Sequence, residues 1–244
     1  MKKSIWFLSF PLLAAIMVFS SFMVRQEHER VKGNGDVKQE KRTASAFKDI
    51  GTSGEFKVYI QQGNTHSIEV EAESNLLPYI VTEIDGKELE IKVKKGYSIK
   101  PTKPVNVYVT MEQINELSAS GSGGFYSKGK LKTDELEISV SGAADTDLDL
   151  DAQKLKVAVS GAGNVKLKGS STAANYSVSG KADIAAFDLQ SDDVHIGISG
   201  SANASVNAAK KLEVGVSGMG NVKYKGNPAI SQSVSGMGRI SKEG

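Results

Sequence analysis

Seven serines, each followed by glycine, are the first residues that invite a chemical reading: Ser120, Ser141, Ser160, Ser179, Ser199, Ser217 and Ser235. A nucleophilic serine needs a base within hydrogen-bond reach, and no histidine or carboxylate holds a fixed position beside this column. The expected role is structural, a ladder of hydroxyls or a side-chain to backbone bond at a turn. The densest acidic run is Asp145-Thr-Asp147-Leu-Asp149-Leu-Asp151, whose oxygens are of the type that binds calcium. Alternate residues of a strand stand about 6–7 Å apart, too far for one ion without a second coil, so the run reads first as a solvated strand face. The tandem nonapeptide of calcium-binding β-rolls is absent. His28, His66 and His195 have no metal-spaced partners. The expectation is no catalytic residue, no metal site and no cofactor.

Composition narrows the field further. Without cysteine there can be no disulfide, no thiolate metal site, no cysteine nucleophile and no lipoprotein-type acylation. Setting Lys2 and Lys3 aside leaves 28 basic residues against 28 acidic ones. Nucleic-acid binding needs a basic surplus to displace counterions, so no nucleic-acid partner is expected. Twenty-five glycines against five prolines point to many tight turns between short elements.

The elements that must position these residues follow from the address and the repeats. Met1-Lys2-Lys3-Ser4 precedes an apolar run from Ile5 to Val24, which is an export signal. Residues 1–24 read as a cleaved signal peptide, with Val18 and Ser20 suiting the cleavage site, or as a retained anchor, since twenty residues at about 1.5 Å each span a bilayer. The positive-inside tendency places everything after Arg25 outside the inner membrane, in the periplasm or on the outer-membrane surface. Membrane contact is expected only through residues 5–24, if they are retained. Residues 25–43 carry mixed charge and almost no apolar side chain, which reads as a solvated linker.

From residue 114 to 241 the Ser-Gly spacings are 21, 19, 19, 20, 18 and 18. Aligned on glycine, the position two before it holds Ala119, Val140, Val159, Val178, Ile198, Val216 and Val234; two earlier stand Leu117, Ile138, Val157, Tyr176, Ile196 and Val214, then Gln232. Three residues after the glycine come Gly124, Asp145, Asn164, Asp183, Asn203, Asn221 and Arg239, mostly types that tolerate positive φ, which predicts a turn. Period-2 alternation flanks each turn, so one face points inward and the other to water. A single unit cannot bury its own face, whereas parallel stacking closes a continuous core. The fold class expected is all-β, a single-domain parallel β-helix or β-solenoid with coils of about 19 residues. Its repeat ladder consists of Ser141-Gly142, Ser160-Gly161, Ser179-Gly180, Ser199-Gly200, Ser217-Gly218 and Ser235-Gly236. Residues 44–113 alternate likewise without the period, and Asp85-Gly86-Lys87 marks a hairpin-type turn; this region is expected to continue and cap the solenoid.

The Val-Ser-Gly-x-Gly-Asn-Val units at 159–165 and 216–222, the Phe47-x-x-Ile50 and Ser53-Gly54-x-Phe56-x-Val58 segment, and Leu117-x-x-Ser120-Gly121-Ser122-Gly123 resemble the bacterial family called putative auto-transporter adhesin, head GIN domain. The resemblance spans about residues 44 to 240. It implies a β-helical fold, a cell-envelope location typical of Bacteroidota and an adhesin role, and it supplies no catalytic or binding residues. Autotransport would need a C-terminal membrane barrel; five residues follow Arg239, so self-secretion is not expected.

The outward column five residues after the glycine reads Tyr126, Asp147, Lys166, Ala185, Ser205, Lys223 and Ser241. The next, two residues on, reads Lys128, Asp149, Lys168, Phe187, Asn207 and Lys225. No carboxylate pair recurs in either, which argues against a glycan-active enzyme of the β-helix type. The chain is thus read as a non-catalytic envelope module binding an unidentified protein or glycan, with Lys166, Lys168, Lys223, Lys225, Asp147 and Asp149 as candidate surface contacts. The alternatives are a structural periplasmic protein and a glycan-active enzyme, which gathering of three or more of Asp145, Asp147, Asp149, Asp183, Asp188 and Glu213 into one cleft would favour. A last coil ending at Ile240 leaves an unpaired edge, which hints at end-to-end self-association.

Overall fold

Alternating apolar residues form strands here because each strand finds a neighbour of the same pattern one coil away. The computed structural model describes residues 29–243. The first strands are β1 (Glu29–Lys32), β2 (Val37–Arg42), β3 (Asp49–Ser53), β4 (Phe56–Gln62) and β5 (Ser67–Glu73). A 3-10 turn at Leu77–Tyr79 leads to β6 (Ile80–Asp85), β7 (Glu88–Val93), β8 (Tyr97–Lys100) and β9 (Val105–Met111). The coils follow as β10 (Glu116–Ala119), β11 (Gly124–Val140), β12 (Asp145–Val159), β13 (Ala162–Val178), β14 (Lys181–Ile198) and β15 (Ser201–Val216). The last turn is broken into β16 (Met219–Lys225), β17 (Ala229–Val234) and β18 (Met237–Lys242).

These elements build a single-domain β-solenoid of about seven turns and coils of about 19 residues. The sequence columns are its ladders: Ile138 pairs with Val157, Val157 with Tyr176, Tyr176 with Ile196 and Ile196 with Val214, all in parallel register. All five are buried, as are Val140, Val159, Val178, Ile198 and Val216 in the next inward column. Burying a side chain of this size contributes about 1.5–3 kcal/mol. Register is strongly held, because a slip by one residue would turn every apolar side chain outward.

Unequal coil lengths are absorbed in bulges at the second corner. Tyr126 pairs with Asp147, but the next pair is Lys130 with Asp149, so residues 127–129 bulge. Likewise Lys166 pairs with Ala185 and Lys168 with Asp188. This corrects the second outward column: Lys130 replaces Lys128 and Asp188 replaces Phe187.

The Ser-Gly corner is also not what its residue types suggest. No non-glycine among the described residues has positive φ, so Asp145, Asn164, Asp183 and Asn203 sit in extended backbone. They serve as a ladder, with Asn164 Nδ2 donating to Asp145 Oδ1 at 2.9 Å and Asn203 Nδ2 to Asp183 Oδ1 at 2.8 Å. Glycine is required for space: a Cβ on Gly180 would lie 2.0 Å from the Gly161 carbonyl oxygen, and Gly142, Gly161, Gly200, Gly218 and Gly236 repeat that 2.0 Å approach to the glycine one coil before. Left-handed backbone occurs instead at Gly129, Gly169 and Gly226, with φ of 94°, 113° and 96°.

Beyond β11 the structure changes character. Strands β3 and β4 pair in parallel with β10 and β11, and β7 and β9 extend the two sides in parallel. Then β6 runs antiparallel to β7, β5 to β9 and β2 to β5, which ends coil stacking. The segment expected to be a polar linker carries β1 and β2, and β1 pairs in parallel with β8. Glu73 organises this head. It is 1% exposed and accepts hydrogen bonds from Gly35 N at 2.6 Å, Thr102 N at 2.8 Å and Thr102 Oγ1 at 2.6 Å. Those donors, Thr102 Oγ1 foremost, hold its carboxyl at a pKa of about 2. The expected export signal, residues 1–24, and His28 lie outside the described residues.

Candidate functional site

Three lateral features of the solenoid place the polar residues. The first is a charge ladder on β11–β13. Lys166 Nζ stands 3.2 Å from Asp147, Lys168 Nζ 3.6 Å from Asp149, and Lys130 Nζ 3.0 Å from Asp151 and 3.8 Å from Asp149. The four candidate contacts Asp147, Asp149, Lys166 and Lys168 are therefore brought together, and they satisfy one another. The acidic run Asp145 to Asp151 is matched rung by rung with donors, and no group of three His, Asp or Glu gathers as metal ligands among the described residues. Exposed pairs of this kind are screened by solvent and add little to stability. Lys223 and Lys225 lie apart from these four, on β16. Lys223 pairs with Glu243 at 3.3 Å, and the Lys225 ammonium sits 4.6 Å over the Phe187 ring.

The second feature is a shallow groove of about 540 Å³ along the Ser-Gly corner, lined by Ser141, Ser160, Ser179, Ser199 and Ser217 beside Ser139 and Ser177. Ser141 donates from both N and Oγ to the Ala119 carbonyl, at 2.9 Å and 3.5 Å, and Ser217 does the same to Ile198, at 2.8 Å and 3.5 Å. Hydroxyls turned onto backbone carbonyls have no base to activate them.

The third feature is a wider groove, about 980 Å³, which runs along the opposite corner across β11 to β14. Asp134, Asp151, Gln153, Ser170, Thr172 and Gln190 are among its lining residues. Gln62 closes one end: its Nε2 donates to the Glu112 and Lys132 carbonyls at 2.9 Å each, and its Oε1 accepts from Lys132 N at 2.7 Å. Gln153 Nε2 donates to Asp134 at 2.8 Å, Ser170 Oγ to Asp151 at 2.8 Å, and Lys210 Nζ to Asp192 at 2.9 Å. Hydrogen bonds from Lys130 and then Ser170 hold the Asp151 carboxyl below the usual range. A catalytic acid needs the opposite shift, so Asp151 is set to accept hydrogen bonds. None of Asp145, Asp147, Asp149, Asp183, Asp188 or Glu213 lines it.

Sequence reasoning missed this groove because its residues fall outside the two outward columns, and the bulges hide their alignment. It also missed a carboxylate row. Glu88, Asp49, Glu116 and Glu137 are consecutive register partners on β7, β3, β10 and β11. Burial, then Glu137 and Asp49, raise the Glu116 carboxyl above its ordinary pKa. A tyrosine ladder was likewise unseen: Tyr108, Tyr59 and Tyr126 stack with ring centroids 5.3 Å apart, joining β9, β4 and β11. The two remaining histidines lie apart from each other. His66 approaches the Phe47 carbonyl at 3.3 Å, and His195 lies 3.8 Å from Glu213.

Comparison with known proteins agrees with this architecture. A crystal structure of a putative adhesin from Bacteroides fragilis NCTC 9343 matches with a TM-score of 0.82 at 25% identity, covering 87% of this chain and 100% of that one. A putative adhesin from Parabacteroides merdae ATCC 43184 matches with a TM-score of 0.67 at 28% identity, over 88% of this chain and 100% of that one. A protein from Parabacteroides distasonis ATCC 8503 described as a putative lipid binding protein gives 0.73 at 27% identity, again over 88% and 100%. No curated protein matches. Residues 46–228 match the family described as putative auto-transporter adhesin, head GIN domain, and the chain belongs to that family.

Proposed function

We propose that this chain is a non-catalytic binding module of the cell envelope, exported by its N-terminal segment, that holds an extended glycan along the polar groove of β11 to β14. The observation that carries the reading is the groove's chemistry. Amides, hydroxyls and carboxylates line about 980 Å³, with Asp134, Asp151 and Asp192 each oriented by a neighbour, which suits sugar hydroxyls as donors. Adhesin names in the family and its structural neighbours support a binding role. The charge ladder of Asp147, Asp149, Lys166 and Lys168, with Lys223 and Lys225 beyond it, is the flanking surface for a larger partner.

Titration of envelope polysaccharides into the full chain tests the proposal. Saturable binding that Gln153→Ala and Asp151→Asn each weaken about tenfold supports it; binding unchanged by both variants removes the groove. Turnover of the glycan on incubation would replace it with the enzyme reading. Labelling by an impermeant biotin reagent in intact cells distinguishes a surface module from a structural periplasmic protein.

A second reading concerns self-association. Ile230, Val234 and Met237 are 44%, 43% and 75% exposed on β17 and β18, whose outer edges have no strand partner among the described residues. End-to-end pairing of copies would cover them. Light scattering that shows only monomer at high concentration removes that reading.

A further inference from the structure

On β11 to β16 the lysines at 130, 156, 166, 168, 210, 211 and 223 have carboxylate partners, while Lys128, Lys132, Lys154, Lys181 and Lys225 are spread singly along the coils without one among the described residues. In the head, residues 92–103 contain five lysines and no acid, and β8 lies within this stretch. Lys92 is paired with Glu83 at 3.1 Å. Lys94, Lys95, Lys100 and Lys103, with Arg30 and Lys32 of the adjoining β1, are exposed and form no ion pair among the described residues. Strand pairing holds them as one strap: Arg30 is opposite Ser98 and Lys32 is opposite Lys100. Backbone bonds from Glu29 N to Gly96 O at 3.1 Å and from Gly33 N to Lys100 O at 3.0 Å close its ends, and Glu73 fixes the loop beyond it through Thr102. Tyr97, at its start, packs on Tyr79 with ring centroids 4.7 Å apart, and Lys94 lies 5.8 Å from the Tyr97 centroid.

We infer that this strap is a docking surface for an anionic lipid bilayer. Two observations select that occupant. One is charge: six cations that form no ion pair among the described residues stand against a single carboxylate of the strap, Glu29, and Arg30, Lys32 and Lys100 share one face of the β1–β8 pair, which suits an acidic headgroup layer. The other is position. This observation rests on the reading in which residues 5–24 are retained: the apolar run ends at Val24, and β1 starts at Glu29, so at most roughly 18 Å of extended chain separates the end of that run from the strap. The strap is part of the head, beside β7 at the end of the strand order away from β18, so docking it leaves the solenoid and its grooves projecting from the surface. The inference is independent of what the polar groove binds.

Each cation near an anionic surface favours docking about fivefold. The chain has no cysteine, so a single Ser98→Cys substitution takes an environment-sensitive fluorophore on β8. The full chain is reconstituted into phosphatidylcholine vesicles with or without phosphatidylglycerol. Docking predicts a blue-shifted emission with phosphatidylglycerol only, reversed by high salt, and no response from a label at Ser233→Cys on β17. In K94Q/K95Q/K100Q the ratio of docked to undocked label falls about a hundredfold. Equal emission in the two lipid compositions overturns the proposal without recourse to a variant. So does an undiminished shift in a triple variant whose far-ultraviolet circular dichroism is native, or a response to a soluble acidic glycan with none to vesicles.

Discussion

The coils and the head solve the same problem, stacking strands into one core, with opposite uses of single residues. In the coils each position is one of a column, so Val157 is supported by Ile138 above and Tyr176 below, and no residue is unique. In the head, β5, β6 and β2 run antiparallel to their neighbours and the loops between them have no repeat to lean on. One carboxylate, Glu73, holds the 33–36 and 101–103 segments together. Repetition spreads stability over many equivalent contacts, whereas the irregular end concentrates it.

The largest expected effect tests the column. A methyl at Gly180 would meet the Gly161 carbonyl oxygen at 2.0 Å and the Ser160 carbonyl oxygen at 2.7 Å, and neither is a flexible side-chain tip. Gly180→Ala should cost about 3 kcal/mol or more, measured by urea unfolding, because two coils must separate to admit it. Gly197→Ala, one coil away, has its nearest neighbour at 4.0 Å and should be neutral or stabilise by up to about 1 kcal/mol. Equal effects at the two positions would show that coil spacing is not what demands glycine.

The head should fail separately, and by pH. The Glu73 carboxyl is held at about 2 against an ordinary 4.5, so the stability it contributes is complete above about pH 4.5 and is lost as pH falls toward 2. Amide exchange at Gly35 and Thr102 should quicken over that window while the coil amides of β13 and β14 remain protected. Glu73→Gln should produce the same local loosening at neutral pH. Simultaneous opening of head and coils would mean that they form one cooperative unit.

These two regions also differ in how far they can be read from the chain. The coils were legible because period-2 alternation and a column of small residues repeat seven times, and registers such as Val165 with Ile184 follow directly. The physical reason for the glycines was not, since close approach of backbones leaves no mark on residue type that distinguishes it from positive φ. Strand β2, Val-Lys-Gln-Glu-Lys-Arg, was read as linker because it is an edge strand whose first five residues are exposed. Glu73 and the polar groove depend on loop placement and bulges, which no local pattern encodes.

A smaller effect asks whether the repeat is optimal inside. Ser171 and Ser191 are consecutive partners in an inward column, flanked by Ala152 and Ala208, and their buried hydroxyls have no hydrogen-bond partner. Ser191→Ala should therefore stabilise the chain by about 1 kcal/mol, seen as a higher urea midpoint at unchanged slope. Loss of stability would place an unseen partner on that hydroxyl.

The smallest effect lies where coils and head meet. Glu116 stands between Asp49 and Glu137 in register, with Glu88 one strand further on, so four carboxylates of like sign line one face of the junction. Among the described residues the row is relieved at one end, where Lys156 lies 2.7 Å from Glu135 and 3.8 Å from Glu137. Burial and these neighbours raise the Glu116 pKa in the folded chain. A carboxyl raised on folding favours the folded state when protonated, so its ionised form costs stability at neutral pH and the cost disappears as pH falls through the raised value. Glu116→Gln should thus raise stability by about 0.5 kcal/mol or less at pH 7, the magnitude being small because the side chain is exposed and screened. At pH 4 the difference from the parent chain should close. A substitution that stabilises equally at both values would act through packing, and the junction would then be held as the coils are, by shape, with its like charges merely tolerated.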